Sequence, residues 1–330
     1  MSSSNDTATF GVTVARKVFA VLVSVISLTG LIFCLIVLTV IFTKPRRFRN
    51  AFYHFVGSLG ILDTLSLLIH LVYSCPMIAQ ILPASVERPL SKFSRMLTTY
   101  CWFSMTVHFA FIGMERFWAI KDPLTHKRYF SQQRTCFLIV LGHSMGLLVT
   151  VFTELSGCWI IFKDHWQFNY FLKSTTCDRK YVTLILGFGF SLGLWISSVY
   201  MATIWLARRA SRRLTARNRS FLRKKQNILT LQFGIIVLIY SLEMCLFVLV
   251  PLFSGDNSSP LTAAFMNFII VANNAVTPFC FVTFGADIRK YLRSYLLKKC
   301  LESSQPSFSL KAGKCFSESL QARKATLTES

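Results

Sequence analysis

Long apolar blocks separated by short polar segments dominate this chain. The first block, about Val18 to Phe42, is uncharged throughout. At about 1.5 Å per residue it is long enough to cross a hydrocarbon layer about 30 Å thick. Six further blocks follow, at about Ala51 to Tyr73, Ser94 to Ile120, Thr135 to Phe162, Tyr181 to Leu206, Asn227 to Phe253 and Leu261 to Phe284. Each predicts a membrane-crossing helix, and together they predict an all-α fold, a seven-transmembrane helix bundle.

The segments between the blocks differ in charge. The first block ends in Thr43-Lys44-Pro45-Arg46-Arg47-Phe48-Arg49, Lys127, Arg128 and Arg134 follow the third, and Arg208 to Arg213 follow the fifth, with Arg217, Arg219, Arg223, Lys224 and Lys225 close behind. The alternate segments, Pro76 to Phe93, Lys163 to Lys180 and Ser254 to Pro260, are near neutral or mixed. Basic loops stay on the cytoplasmic side, so the N-terminus is expected outside and the C-terminus inside, although Arg16 and Lys17 weaken the asymmetry. After the last block, Asp287 to Lys299 sets apolar and basic residues at helical spacing, which predicts a short amphipathic eighth helix at the inner membrane surface. The expected organisation is therefore an extracellular tail over 1–17, the bundle and surface helix over 18–300, and a disordered Ser- and Thr-rich cytoplasmic tail over 301–330.

Composition agrees with a bilayer. Hydrophobic residues make up 53% and charged residues only 15%, with 31 Phe, and the mean hydropathy is +0.50, too apolar for a water-soluble domain of this length. A net charge of +22 is what a nucleic-acid binder carries, but here the basic residues cluster between apolar blocks, where anionic membrane lipids are the natural partner and no nucleic acid is expected. Met1 to Phe10 lacks a basic region ahead of an apolar core, so no cleaved signal peptide is expected. Asn5-Asp6-Thr7 and Asn257-Ser258-Ser259 are glycosylation acceptors on outer segments, whereas Asn218-Arg219-Ser220 falls in an inner loop and should be silent. Cys300, just past the surface helix, is a palmitoylation candidate.

Candidate chemistry lies in the few polar residues of the blocks. Asp63 sits near the middle of the second, Glu154 on the fourth and Glu243 on the sixth. A carboxylate there costs roughly 2.5 to 3.5 kcal/mol on insertion scales unless it lines water or a polar partner. The third block ends in Glu115-Arg116-Phe117-Trp118-Ala119-Ile120-Lys121-Asp122-Pro123-Leu124, an adjacent acid and base at a membrane surface followed by a proline stop.

That segment, with its Glu-Arg-Phe-x-Ala-Ile-x-x-Pro-Leu pattern, resembles the end of the third helix and the second inner loop of rhodopsin-like (class A) G-protein-coupled receptors. Ser58-Leu59-x-x-x-Asp63 is similar to the family's second-helix motif, and Thr277-Pro278-Phe279-Cys280-Phe281 is similar to its Asn-Pro-x-x-Tyr with both polar ends replaced. The resemblance covers roughly Val18 to Cys300, and its texture is that of the large nematode chemoreceptor families. It implies a receptor in which Glu115, Arg116, Phe117, Pro123, Leu124, Thr277, Pro278 and Phe281 serve G-protein coupling and the switch. It also implies a buried polar centre of Asp63 with Asn273 or Asn274. Departures are several. Gly30-Leu31 stands where Gly-Asn is usual, the sixth span lacks Trp-x-Pro, the fourth lacks its Trp, and Met105 replaces a Ser of the family's sodium site. The sixth span begins Arg223-Lys224-Lys225, so the acid of the family's second lock on Arg116 is missing. The family's bridge from the third helix to the second outer loop is missing too, because its third-helix position is Ser91; Cys177 pairs with Cys75 or with Cys158, or all three stay free.

What the resemblance implies about the ligand comes largely from absences. The acid that amine receptors carry eighteen residues before the motif arginine is Thr98 here, and the seventh span has no Lys to hold retinal. Thr98, Thr99, Trp102, Phe103, Glu154 and Glu243 remain as pocket candidates, a lining suited to a small, mostly apolar molecule fixed by a few hydrogen bonds. The expected partners are that ligand, a heterotrimeric G protein, and arrestin through the Ser- and Thr-rich tail. No cofactor, no metal and no enzyme activity are expected, since no His or acid cluster recurs at ligand or general-base spacing. The alternative is a polytopic transporter or channel, against which stand few intramembrane charges and no detectable inverted repeat. Epitope tags at the N-terminus and at Asp256 should be reached by antibody on intact cells and tags near Arg217 and Ser330 should not; the reverse pattern would contradict the receptor topology.

Overall fold

The computed structural model describes residues 3–43, 48, 50–156, 161–163, 167–169, 179–212, 234–246, 260–285 and 288–294. Nearly all of them are helical, and they form a seven-transmembrane bundle. The first span lies in the helix Ser3–Thr43, the second in Ala51–Ile78, the third in Ala84–Lys121, the fourth in Gln132–Leu155, the fifth in Arg179–Arg212, the sixth in Gly234–Leu246 and the seventh in Pro260–Phe284. Five of these helices are long and apolar enough to cross a membrane. The third is long enough but carries Glu87, Lys92 and Arg95 towards one end and Glu115, Arg116 and Lys121 towards the other. Residues 288–294 are helical and belong to a second compact unit, Ala286–Ser330, separate from Met1–Gly285.

Several boundaries differ from the sequence expectation. The second span runs on to Ile78 and the third begins at Ala84, so the connection predicted over Pro76 to Phe93 shrinks to 79–83, where Gln80 adopts a left-handed φ of 58°. The second helix reaches that far through a wide π turn, His70–Ser74, just ahead of Pro76, whose ring and missing N–H cannot fit an ordinary α ladder. The fourth helix stops at Leu155 rather than Phe162, where the Ser156 hydroxyl bonds back to Thr153 O at 3.1 Å and competes with the ladder. Beyond it Ile161–Lys163 pairs antiparallel with Gln167–Asn169, and this second strand lies against the seventh span.

The first span packs on the second and seventh, the second on the third, and the third on the fourth and fifth. Small residues let the backbones approach. A Cβ on Gly30 would sit 2.7 Å from Ala275 Cβ, and one on Gly146 would sit 2.8 Å from the carbonyl oxygen of Tyr100. The outward faces are as apolar as the seams. On the first span Val18, Val21, Val25, Leu28, Ile32 and Leu35 are exposed while Ala20, Val23, Val37 and Val40 are buried.

Polar ties cross these apolar seams. Between the second, third and fourth spans, Ser58 Oγ lies 2.9 Å from His108 Nε2 and 2.8 Å from His143 Nε2. At the two ends, His108 Nδ1 lies 2.7 Å from Ser104 O and His143 Nδ1 lies 2.6 Å from Tyr100 OH. A carbonyl only accepts, so His108 donates through Nδ1 and accepts through Nε2 from the Ser58 hydroxyl. Ser58 oxygen then accepts from His143 Nε2, and His143 Nδ1 accepts from Tyr100. One carbonyl thus sets the direction of every hydrogen bond in the relay.

Ser58→Ala removes the one group that both imidazoles share. It should destabilise the detergent-solubilised protein by about 1–3 kcal/mol, the cost of a buried polar group left unpaired. The control Ser198→Ala, whose exposed hydroxyl bonds only Leu194 O of its own helix, should leave the thermal midpoint unchanged. Equal midpoints for the two variants would remove the relay as a tie.

Candidate functional site

Two polar clusters stand out, and the third span carries both. The first forms where that span ends. Asp122 leaves the helix in an extended conformation and caps the next short helix, Pro123–Tyr129, accepting from Leu124 N at 3.0 Å, Thr125 N at 3.3 Å and the Thr125 hydroxyl. Those bonds, the Thr125 hydroxyl's first, hold the Asp122 carboxyl below the usual carboxylate range. Pro123 fits the first helical position, where no N–H is needed.

The cap brings His126 back over the third span, with Nε2 2.9 Å from Glu115 Oε1. Glu115 is only 3% exposed, and its other oxygen lies 3.2 Å from Arg116 Nε. That pair is close but misaligned, since neither atom completes a hydrogen bond. The Arg116 guanidinium carbon instead lies over the ring of Phe52 of the second span, 3.4 Å from its centroid. Phe52 in turn meets Phe281 of the seventh span edge to face, centroids 5.9 Å apart. Thr277 bonds Asn273 O at 3.2 Å beside the buried Pro278. Phe117 packs edge-on against Trp118 under Lys121, and Leu124 is 80% exposed. The structure thus brings Glu115, Arg116 and Phe281 together, and adds His126 and Phe52, which no sequence motif marks.

The second cluster joins the third, sixth and seventh spans. Glu243, 2% exposed, accepts from Trp102 Nε1 at 3.0 Å through one oxygen and from Asn273 Nδ2 at 2.6 Å through the other. One turn along, Tyr240 OH donates to Thr106 Oγ1 at 3.0 Å. The fifth span closes in through Gly189, where a Cβ would sit 3.2 Å from Trp102 Cη2, and Phe103 stands edge-on to the indole at 4.7 Å. Thr98, one turn before Trp102, is buried with its hydroxyl unpartnered among the described residues, while Thr99 bonds Arg95 O at 3.0 Å.

Other candidates fall elsewhere. Glu154 does not join Glu243; Arg95 holds it across the seam of the third and fourth spans by two bonds of 2.9 and 3.1 Å. Asp63 is buried, but the amides expected to couple to it are engaged otherwise, Asn273 with Glu243 and Asn274 with Ser66 Oγ at 2.7 Å. For Cys75 the structure has the alternative without a disulfide. Cys75 is a free thiol inside the bundle, packed with Val23, Cys34, Leu67 and Val271 rather than on a loop, because the second helix extends past it. Cys158, Cys177, Asn257 and Cys300 lie outside the described residues, as does the side chain of Asn5. Among the described residues no three His, Cys, Asp or Glu side chains are grouped to hold a metal ion.

A family model described as serpentine type 7TM GPCR chemoreceptor Srx matches residues 25–284. A comparison with curated proteins gives no match. The matched stretch opens inside the first span and closes with the last residue of the seventh, so it takes in both clusters. With most of its length matched, and with the helices and intramembrane ties of a seven-span bundle, the chain belongs to the Srx family of serpentine seven-transmembrane G-protein-coupled chemoreceptors.

Proposed function

We propose that this chemoreceptor detects a small, mostly apolar extracellular molecule at the plasma membrane and activates a heterotrimeric G protein on the cytoplasmic side. The observation that carries the reading is that the third and seventh spans are linked at both clusters, Trp102 to Asn273 through Glu243 of the sixth span at one and Arg116 to Phe281 through Phe52 of the second at the other. Trp102 and Arg116 are about 21 Å apart along the third helix at 1.5 Å per residue, and Asn273 and Phe281 flank Pro278. A ligand that disturbs the Glu243 junction thereby biases the seventh span on one side of its proline, and Phe281 responds on the other.

The ligand's chemistry follows from what the junction lacks. Both Glu243 oxygens already accept an N–H from within the bundle. Thr98 offers a hydroxyl, and Trp102 and Phe103 offer rings, which favours an apolar molecule with one hydrogen-bonding group. The basic loops and the exposed Leu124 face the G protein in this reading, with the N-terminus outside, the helix after the seventh span on the inner leaflet, palmitate on Cys300, glycans on Asn5 and Asn257, and arrestin on the tail.

The test is a ligand screen in cells carrying a promiscuous G-protein reporter. At equal surface expression Arg116→Ala should abolish the response, and Glu243→Gln and Thr98→Val should each weaken ligand potency by about tenfold, the loss of one or two hydrogen bonds. Normal signalling by Arg116→Ala would refute the coupling role, and unchanged potency in both other variants would move the pocket elsewhere.

A further inference from the structure

We propose that Phe52 is the residue that holds Arg116 at rest, so that the receptor's lock is aromatic and runs from the second span to the seventh. The proposal rests on the reading that Arg116 couples to a G protein, and it names what restrains that arginine.

The electrostatic restraint on Arg116 is incomplete. Glu115 presents one oxygen to His126, and its remaining oxygen meets Arg116 Nε at 3.2 Å without hydrogen-bond alignment. In sequence, the stretch leading into the sixth span holds Arg223, Lys224 and Lys225, residue types that cannot pair with a guanidinium. What does engage it is the face of Phe52, with the guanidinium carbon 3.4 Å from the centroid, well inside the range of about 6 Å over which a ring attracts a cation. Phe52 is only 8% exposed, and desolvation strengthens such a contact.

The ring itself is fixed from two sides. Tyr53 stands edge-on to it at 5.2 Å and Phe281 at 5.9 Å. Phe52 is the second residue of its helix, whose first turn closes by Tyr53 N and His54 N donating to Asn50 O. Phe281 lies three residues after Pro278, and any change in the bend of the seventh span moves it against Phe52. In this arrangement a side chain without a hydroxyl at 281 completes an aromatic stack. The lock therefore accounts together for two departures from the receptor pattern, the missing acid and the missing tyrosine.

The experiment combines two readouts on the full-length chain. Basal G-protein activation is measured in cells at matched surface expression for the wild type, Phe52→Leu, Phe281→Leu, Phe52→Tyr and Phe279→Leu. Thermal midpoints of the detergent-purified protein are measured for Phe52→Leu, Arg116→Met and the pair. Phe52→Leu should raise basal activation roughly two- to fivefold, the loosening expected from one cation–ring contact. Phe281→Leu should raise it less, Phe52→Tyr should reverse most of the rise, and Phe279→Leu, whose ring is 44% exposed, should leave it unchanged. The two single shifts in midpoint should exceed the shift of the pair when summed, because each removes the same contact. Additive midpoints, or a basal level that falls with Phe52→Leu at matched expression, would overturn the lock. Non-additive midpoints with no G-protein signal from any variant or the wild type would uphold the contact and overturn the coupling reading instead.

Discussion

Inside a bilayer no water completes an unfinished hydrogen bond, and that constraint governs how this bundle is held. Apolar contact alone discriminates poorly between neighbours, because lipid tails are as apolar as Leu and Val. Polar groups within the spans therefore gain by finding protein partners, although some, Thr98 among them, have none among the described residues, and the third span supplies more of the bonds that cross a seam than any other described segment. Trp102 reaches Glu243, Thr106 receives Tyr240, and His108 and Tyr100 close the relay through Ser58 and His143. Arg95 takes Glu154, and Glu115 takes His126. With its neighbours docked by directional bonds, the third span becomes a fixed reference for the others.

Many hydroxyls are satisfied within their own helices. Thr29, Thr150 and Thr203 each bond the carbonyl four residues back at 2.7 to 2.8 Å. Such residues carry no information about neighbours, which sharpens the contrast with the side chains that cross a seam. The two clusters sit where crossing bonds concentrate, and each contains a residue of the seventh span. Asn273 and Phe281 are on opposite sides of Pro278, so a local bend in one helix has leverage on both.

The seven blocks were legible in the sequence because length and apolarity alone define a membrane crossing. The rotation of each block was not, since a span that is apolar all round shows no stripe; Val25 and Val23 look alike in sequence, yet one faces outward and the other is buried. Glu243 could be singled out because an intramembrane carboxylate is expensive wherever it faces. Its partners Trp102 and Asn273 were each marked as candidates, but their meeting depends on three rotations that no pattern encodes. Glu154 was assigned to the pocket for want of any sign that Arg95, fifty-nine residues earlier, would reach it. His126 and Phe52 escaped notice for a related reason. One lies in a loop whose helical cap had to form first, and the other is a single Phe among 31. Cys75 was set at the outer face because the apolar block was taken to end at Tyr73, whereas the helix runs on through a π turn to Ile78.

The directed relay is the sharpest expression of a bundle ordered by internal hydrogen bonds, and histidine nitrogen NMR of the receptor in lipid nanodiscs observes it directly. Resonances are assigned by loss in His108→Gln and His143→Gln. The account predicts opposite neutral tautomers, with the proton on Nδ1 of His108 and on Nε2 of His143. The same tautomer in both rings, or a doubly protonated ring in either, would contradict it.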